Sequence, residues 1–570
     1  MMPNPKFFDL LISRKILTQK DADNLLEKYK GDAFAVLNHL VRGTVAKKST
    51  LGMLWGDSIG VSYVDLNKTL FQSQVVHKLP KQFAQKNMMI PLYQMGEVVT
   101  VAAAFPADQD MIKSAEMVIR GPISPVFAFP QDIDDAIDVQ YQSEESLNLL
   151  LNQIADSALF KGISKITQEQ IHKLAGDQAV AEFCRGIMML GIKERASDIH
   201  IEPQEDVVRI RYRIDGALQE RLTLDHSLLP TLFSRFKILA KLDITERRRP
   251  QDGRVTISLS NKTIDFRLST VPTIYGEKIV LRILGQIQAD DVQNLSELDL
   301  SKSVFANLKK IIDTPNGVFF VTGPTGSGKT TTLFSVLKSL NKAEVNIMTI
   351  EDPVEYRLSG INQIQVNPAI NLNFALAFRS FLRQDPDVIL IGEIRDLETA
   401  KIAAQAALTG HLVLATMHTN SALQAVTRLV DIGVEPFLVA PSIIGVMAQR
   451  LVRAICPHCK EKYQLSKEKI ERYFIWDNET EVFFYRGRGC LECNRTGYLG
   501  RLAIHELFIM TNAIRSMVAK GASIIEIEQE ARNTGFKTMR YDGLKKVLRG
   551  LTTIDEIEKV TIAEEALDSM

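Results

Sequence analysis

The chain runs to 570 residues, a length that implies roughly three to five domains, each able to bury its own core. Lys plus Arg and Asp plus Glu both number 68, so there is no overall basic field to hold nucleic acid, which argues against a helicase. No apolar run reaches the ~18 residues needed to span a bilayer, and Met1-Met2-Pro3-Asn4-Pro5-Lys6 lacks a signal-peptide h-region, so the expected setting is cytoplasmic, with membrane contact only through a partner.

In chain order, residues 1 to 145 alternate amphipathic patterns with turn signals. Ile16 to Asp23 opens a helix in which Thr18 and Asp21 are spaced as a capping pair. Val45 to Leu51 begins a similar second unit, and Val61 to Leu66 is expected to close it as a strand. Residues 146 to 175, including Lys161-Gly162-Ile163-Ser164, read as a helical, polar connector. Cys184 sits among apolar residues and is expected to fill a helix face. From 176 to 286 the chain is strand-rich. Val207 to Ile214 alternates with period two, burying one face and exposing its arginines, and Ile264 to Leu268 and Ile279 to Leu284 behave similarly. Arginines on such a face are usually solvated. Gly285 to about Leu300 is a polar linker.

Gly323-Pro324-Thr325-Gly326-Ser327-Gly328-Lys329-Thr330 is a complete phosphate-binding loop. Val318 to Val321 supplies a buried strand before it, and Thr331 to Leu337 a helix after it. That context points several backbone N–H groups at an anionic phosphate. Gly323, Gly326 and Gly328 let the main chain wrap closely. Lys329 is assigned to the β- and γ-phosphates and Thr330 to Mg²⁺, with Thr331 also counted among the nucleotide contacts. The chain is therefore expected to bind a nucleoside triphosphate. Ile347 to Ile350 is a strand with Glu351-Asp352-Pro353-Val354-Glu355 at its end, where ligands bind in parallel sheets. A carboxylate there can orient or deprotonate the attacking water, so Glu351 is a catalytic candidate. Val388 to Glu393 resembles a Walker B strand, with Gly392 where an Asp is usual and Glu393 acting on the metal through water. Leu412 to Thr416 is a third strand, flanked by His411 and His418, and His418 joins the catalytic candidates.

Cys456-Pro457-His458-Cys459 and Cys490-Leu491-Glu492-Cys493 form two knuckles separated by 30 residues. Disulfides are disfavoured in a reducing compartment, and a redox dithiol needs only one pair. The four thiolates are assigned to a structural Zn²⁺, with a small domain looped between the knuckles. Thr552 to Met570 reads as an acidic helical tail without legible chemistry.

The motif string resembles the type II/type IV secretion ATPase family, in its pilus-assembly and type II secretion branches. The resemblance covers roughly residues 190 to 510, carried by Ala196 to Pro203, Arg211 to Gly216, Arg249 to Arg254, the phosphate loop, Glu351 to Glu355 and Gly392 to Asp396. It continues through Thr409 to Asn420, the four cysteines and Gly500 to Glu506. It implies an α/β protein with a RecA-like core, a preceding α+β (PAS-like) domain, a zinc module and an N-terminal α/β docking domain. The corresponding boundaries are 1–145, 146–175, 176–286, 287–300 and 301–570. It further implies a homohexamer peripheral at the inner membrane, working with a platform protein and a cytoplasmic docking protein, without nucleic acid. It narrows the nucleotide to ATP, whose hydrolysis would drive pilin addition or, alternatively, type II secretion. By the same resemblance Arg254 and Arg267 act as arginine fingers, and Arg282 is a further candidate. Retraction ATPases lack the long N-terminal part and the cysteine module. Relatives that bind cyclic di-GMP carry Arg-Leu-Gly in each N-terminal unit, which this chain lacks, so that ligand is not expected.

Overall fold

The computed structural model describes the whole chain except residues 1–3, 44, 70, 143, 157–177, 260–262, 285–291, 476–480 and 563–570. It divides into two compact units, Met1–Gly285 and Gln286–Met570.

In the first unit the helix Gln19–Lys28 opens on a full capping box between Thr18 and Asp21. A small sheet follows, from β1 (Met89–Met95), β2 (Val98–Ala103) and β3 (Ile123–Phe127), in the order β1-β2-β3. The strand expected at Val61 to Leu66 does not form. β3 ends at Phe127, so the segment meets it only at Tyr63, through Val64 N–H to Phe127 O and Phe127 N–H to Ser62 O. The connector's described part is the helix Glu144–Asp156, and the rest lies outside the described residues. Leu147 and Ile154, seven residues apart, are buried, so this helix packs into the core on one face.

The same unit holds a six-stranded antiparallel sheet, ordered β6-β5-β4-β9-β8-β7. Its strands are β4 (Ala196–Pro203), β5 (Val207–Ile214), β6 (Ala217–Asp225), β7 (Gln251–Ser258), β8 (Thr263–Thr273) and β9 (Gly276–Leu284). The period-two pattern of β5 buries Val208, Ile210, Tyr212 and Ile214 in one core with the helices Gln178–Lys193 and Leu229–Leu239. Cys184 is fully buried in that core. The arginine face is paired rather than freely solvated. Glu202 lies 2.8 Å from both Arg211 and Lys278. Burial alone would raise its carboxyl, but the Arg211 and Lys278 bonds bring it down to about 2.

The second unit is built on a seven-stranded sheet, ordered β12-β11-β13-β14-β10-β15-β18. These are β10 (Gly317–Thr322), β11 (Ile347–Glu351), β12 (Asn362–Gln365), β13 (Val388–Ile391), β14 (Leu412–Met417), β15 (Ile443–Ile455) and β18 (Tyr498–Ile509). All are parallel except the edge strand β18. Side chains of β10 alternate between two cores, Val318 and Phe320 on one face and Phe319 and Val321 on the other. A sheet covered on both faces needs continuous apolar strands, as the sequence of β10, β13 and β14 supplies. A hairpin of β16 (Lys460–Tyr463) and β17 (Phe484–Gly487) lies between β15 and β18.

The expected polar linker and the expected helical tail, neither with legible chemistry, both pack into the cores. Leu295 and Leu298, in the expected linker, join the core beneath the helix Lys329–Leu340, and Lys338 donates to Val292 O. In the tail, the helix Ile554–Glu558 buries Ile554 and Ile557. Glu556 there accepts from Arg453 Nη2 at 2.6 Å and from Lys559 at 2.7 Å. Residues 563–570 of the tail lie outside the described residues.

Candidate active site

The parallel strands bring their carboxyl ends to one edge, where the phosphate loop leaves β10 and turns into the helix Lys329–Leu340. Gly323, Gly326 and Gly328 have φ of +149°, +79° and +87°, a region that side chains with a Cβ rarely adopt. Space also demands glycine at two of them. A Cβ on Gly323 would lie 2.5 Å from Gln449 O, and one on Gly328 would lie 2.6 Å from Gln449 Nε2. The Lys329 ammonium folds back across the loop and donates to Gly323 O at 2.8 Å and Pro324 O at 3.0 Å. Burial lowers its proton affinity, and the nearby charge of Glu393 works the other way. Thr330 and Thr331 follow on the first helical turn, the position from which a hydroxyl reaches a phosphate-bound cation.

Glu351 ends β11 almost wholly buried. Its Oε1 accepts from Thr349 Oγ1 at 2.6 Å and from Gln363 Nε2 at 3.1 Å. Burial holds this carboxyl above the ordinary carboxylate range, while those two bonds pull it back. Gly392 follows β13, where a Cβ would sit 3.2 Å from Ile350 O and 3.3 Å from Glu351 Cα. An aspartate at this position, where the sequence pattern would have one, would need those neighbours to give by a few tenths of an ångström. Glu393 lies 2.6 Å from Arg395 and 3.4 Å from His418 Nε2. His418 therefore reaches the carboxylate edge. His411 does not: it precedes β14 at the opposite end of the strand, with Nδ1 3.0 Å from Ala406 O.

Several residues at this edge were not legible in the sequence. Gln449 bridges the loop and its helix from β15, and Thr322 Oγ1 ties β10 to Thr419 Oγ1 at 2.6 Å. Arg450 donates to Asn420 Oδ1 at 3.0 Å, and its charge bears on Lys329. Gln449 and Arg450 interrupt the otherwise apolar run Val446 to Val452, but nothing in that stretch names their partners.

The arginine candidates lie in the first unit, in one cross-strand row. Arg254 on β7 pairs with Arg267 on β8, Arg267 with Arg282 on β9, and Arg282 with Asp198 on β4. Arg254 is held by Asp265 and Arg282 by Asp198 at 2.9 Å.

In the second unit β15 ends at Ile455, directly before the first cysteine knuckle, and β18 begins at Tyr498, shortly after the second. Cys456 and Cys490 Sγ are 3.8 Å apart, as are Cys459 and Cys493. All four sulfurs lie within 4.8 Å of one another. A tetrahedral Zn²⁺ with Zn–S of about 2.3 Å sets its sulfurs about 3.8 Å apart, so the cluster fits that ion. Backbone N–H groups of Gly489 and Gly497 also donate to Cys459 and Cys493, both at 3.3 Å, as suits sulfurs carrying negative charge.

Residues 173–559 match the family described as type II/IV secretion system protein, and residues 59–147 match the MshEN domain. The type IV pilus assembly ATPase PilB of Myxococcus xanthus is 39% identical over 558 residues, covering 96% of this chain and 97% of that protein. The type II secretion system ATPase E of Vibrio cholerae is 39% identical over 497 residues, covering 86% of this chain and 98% of that protein. Among solved structures, the Legionella pneumophila ATPase DotB aligns at a TM-score of 0.50 with 21% identity, over 67% of this chain and 95% of that one, and so shares its fold.

Proposed function

We propose that this chain, which belongs to the type II/IV secretion system protein family and is an ATPase, powers type IV pilus assembly. The observation that favours this branch is coverage. At equal identity the alignment with the pilus assembly ATPase spans 96% of the chain and that with the secretion ATPase 86%. The motor is a ring-shaped homohexamer on the cytoplasmic face of the inner membrane, held by a platform protein and a docking protein. None of the helices described is long and apolar enough to cross a membrane, in keeping with attachment through partners.

In this reading Lys329 leaves the carbonyls of Gly323 and Pro324 and neutralises the β- and γ-phosphates of ATP. Thr330 would hold Mg²⁺, whose charge would offset that of the phosphates. Glu351 orients the attacking water and takes its proton, helped by a carboxyl already held above its usual range. Glu393, positioned by Arg395 and His418, completes the polar edge. Arg254 and Arg267 supply positive charge to the transferring phosphoryl group. Cys456, Cys459, Cys490 and Cys493 hold Zn²⁺ as a structural ion. Deleting the gene in its source organism tests the branch: surface pili are expected to vanish while secreted enzymes are still exported. Retained pili with blocked export would assign the chain to type II secretion.

A further inference from the structure

The phosphate loop is held from behind by one buried side chain. Gln449 Nε2 donates to Ser327 O at 2.9 Å, and Thr332 Oγ1 donates to Gln449 Oε1 at 2.7 Å. Gln449 is 2% exposed, so neither bond competes with water. Its backbone lies against the start of the loop and its amide against the end, since added Cβ atoms at Gly323 and Gly328 would collide with it. A trans peptide points its C=O and N–H in opposite directions. Anchoring Ser327 O on Gln449 therefore turns the N–H of Gly328 away from β15, toward the concave side of the loop.

We infer that Gln449 is a positioning residue for ATP hydrolysis: by fixing the Ser327–Gly328 peptide it aims the Gly328 N–H at the phosphate groups of the nucleotide. The inference rests on the proposal that this loop is the nucleotide site. β15 is the only carrier of this support among the described residues, and the same strand ends at Ile455, beside Cys456. No residue adjacent to Gln449 in sequence belongs to the loop, because its two partners are 122 and 117 residues away.

The test uses the full chain and ADP. Gln449→Met keeps the length of the side chain and fills its volume while removing both bonds. ADP affinity is expected to fall on the order of 10-fold, the equivalent of one or two lost hydrogen bonds. KM for ATP is expected to rise similarly, with kcat changed by less than about 3-fold. Thr332→Val, which spares the Ser327 bond, is expected to leave ADP affinity within about 2-fold. Gln449→Glu keeps the acceptor for Thr332 but cannot donate to Ser327, and is read the same way if Gln449→Met yields no folded protein. Wild-type ADP affinity in the Gln449 variant, or an equal loss in Thr332→Val, overturns the inference. Lys329→Ala separates this from the underlying reading. If Lys329→Ala abolishes ADP binding and Gln449→Met leaves ADP affinity at the wild-type value, only the role of Gln449 fails. If Lys329→Ala binds ADP normally, the loop is not the nucleotide site and both fail.

Discussion

Arg254 and Arg267 are direct cross-strand partners on β7 and β8. Like charges placed opposite one another destabilise a sheet. Asp265 compensates Arg254, whereas Arg267 is exposed and has no ion pair among the described residues. An exposed guanidinium that no carboxylate of its own sheet neutralises keeps its donors available to an anionic partner.

Arg267→Ala is therefore expected to melt at the same temperature as wild type or slightly higher, a gain of about 0.2–1 kcal/mol at most. The same variant is expected to lose ATP hydrolysis while still binding ATP, because such an arginine serves transition-state charge. Mixing it with Lys329→Ala subunits should restore part of the activity, an intact loop meeting an intact arginine from its neighbour. Freely exchanging mixed rings without recovery would place the arginine's action within its own subunit.

Elemental analysis of the purified protein should find about one zinc per chain. Cys456→Ser is expected to release it and to loosen residues 456 to 497, as read by hydrogen exchange, while ADP binding persists. Metal-free protein with four freely reactive thiols in the folded state would contradict the assignment.

The C-terminal helix gives an acid-stability prediction. Burial would raise the Glu556 carboxyl, but Arg453 and Lys559 bring it to about 2. A depressed carboxyl contributes stability above its unfolded value, and that stability is lost as pH falls from there toward about 2. Arg453→Ala should remove much of this acid-dependent loss, costing about 1–3 kcal/mol at neutral pH. A stability profile of Arg453→Ala parallel to wild type from pH 5 to pH 2 would contradict it.

What could be read from the sequence was contiguous. The strand, loop and helix around Lys329 follow within a few residues, so one stretch of chain carries its own context. Glu351 and Glu393 each end an apolar run, and the cysteine spacing declares itself. Gln449 was illegible because its partners are brought near only by the pairing of β15 with β10. The pairing of Arg254 with Arg267 depends on the register of β7 and β8, which the alternation of either strand alone does not fix. Val61 to Leu66 has a strand composition but meets β3 only at that strand's last residue. The tail read as acidic and helical, and the helix forms, but its packing was illegible because the guanidinium that neutralises Glu556 lies 103 residues upstream.

The pH profile of hydrolysis reports on Glu351. A general base is active when deprotonated, so activity should fall on the acid side, through a value above the ordinary carboxylate range. The Thr349 bond lowers that value. Thr349→Val is expected to move the acid limb of kcat to higher pH without moving the alkaline limb. An acid limb unchanged by Thr349→Val would detach it from Glu351.

The most direct measurement is turnover by Glu351→Gln, which keeps the shape of the side chain and removes its proton-accepting charge. ATP binding should stay within about 2-fold of wild type while kcat falls at least ~100-fold, the usual contribution of a general base. Near-normal turnover in that variant would contradict the account and shift the role to Glu355 or Glu393.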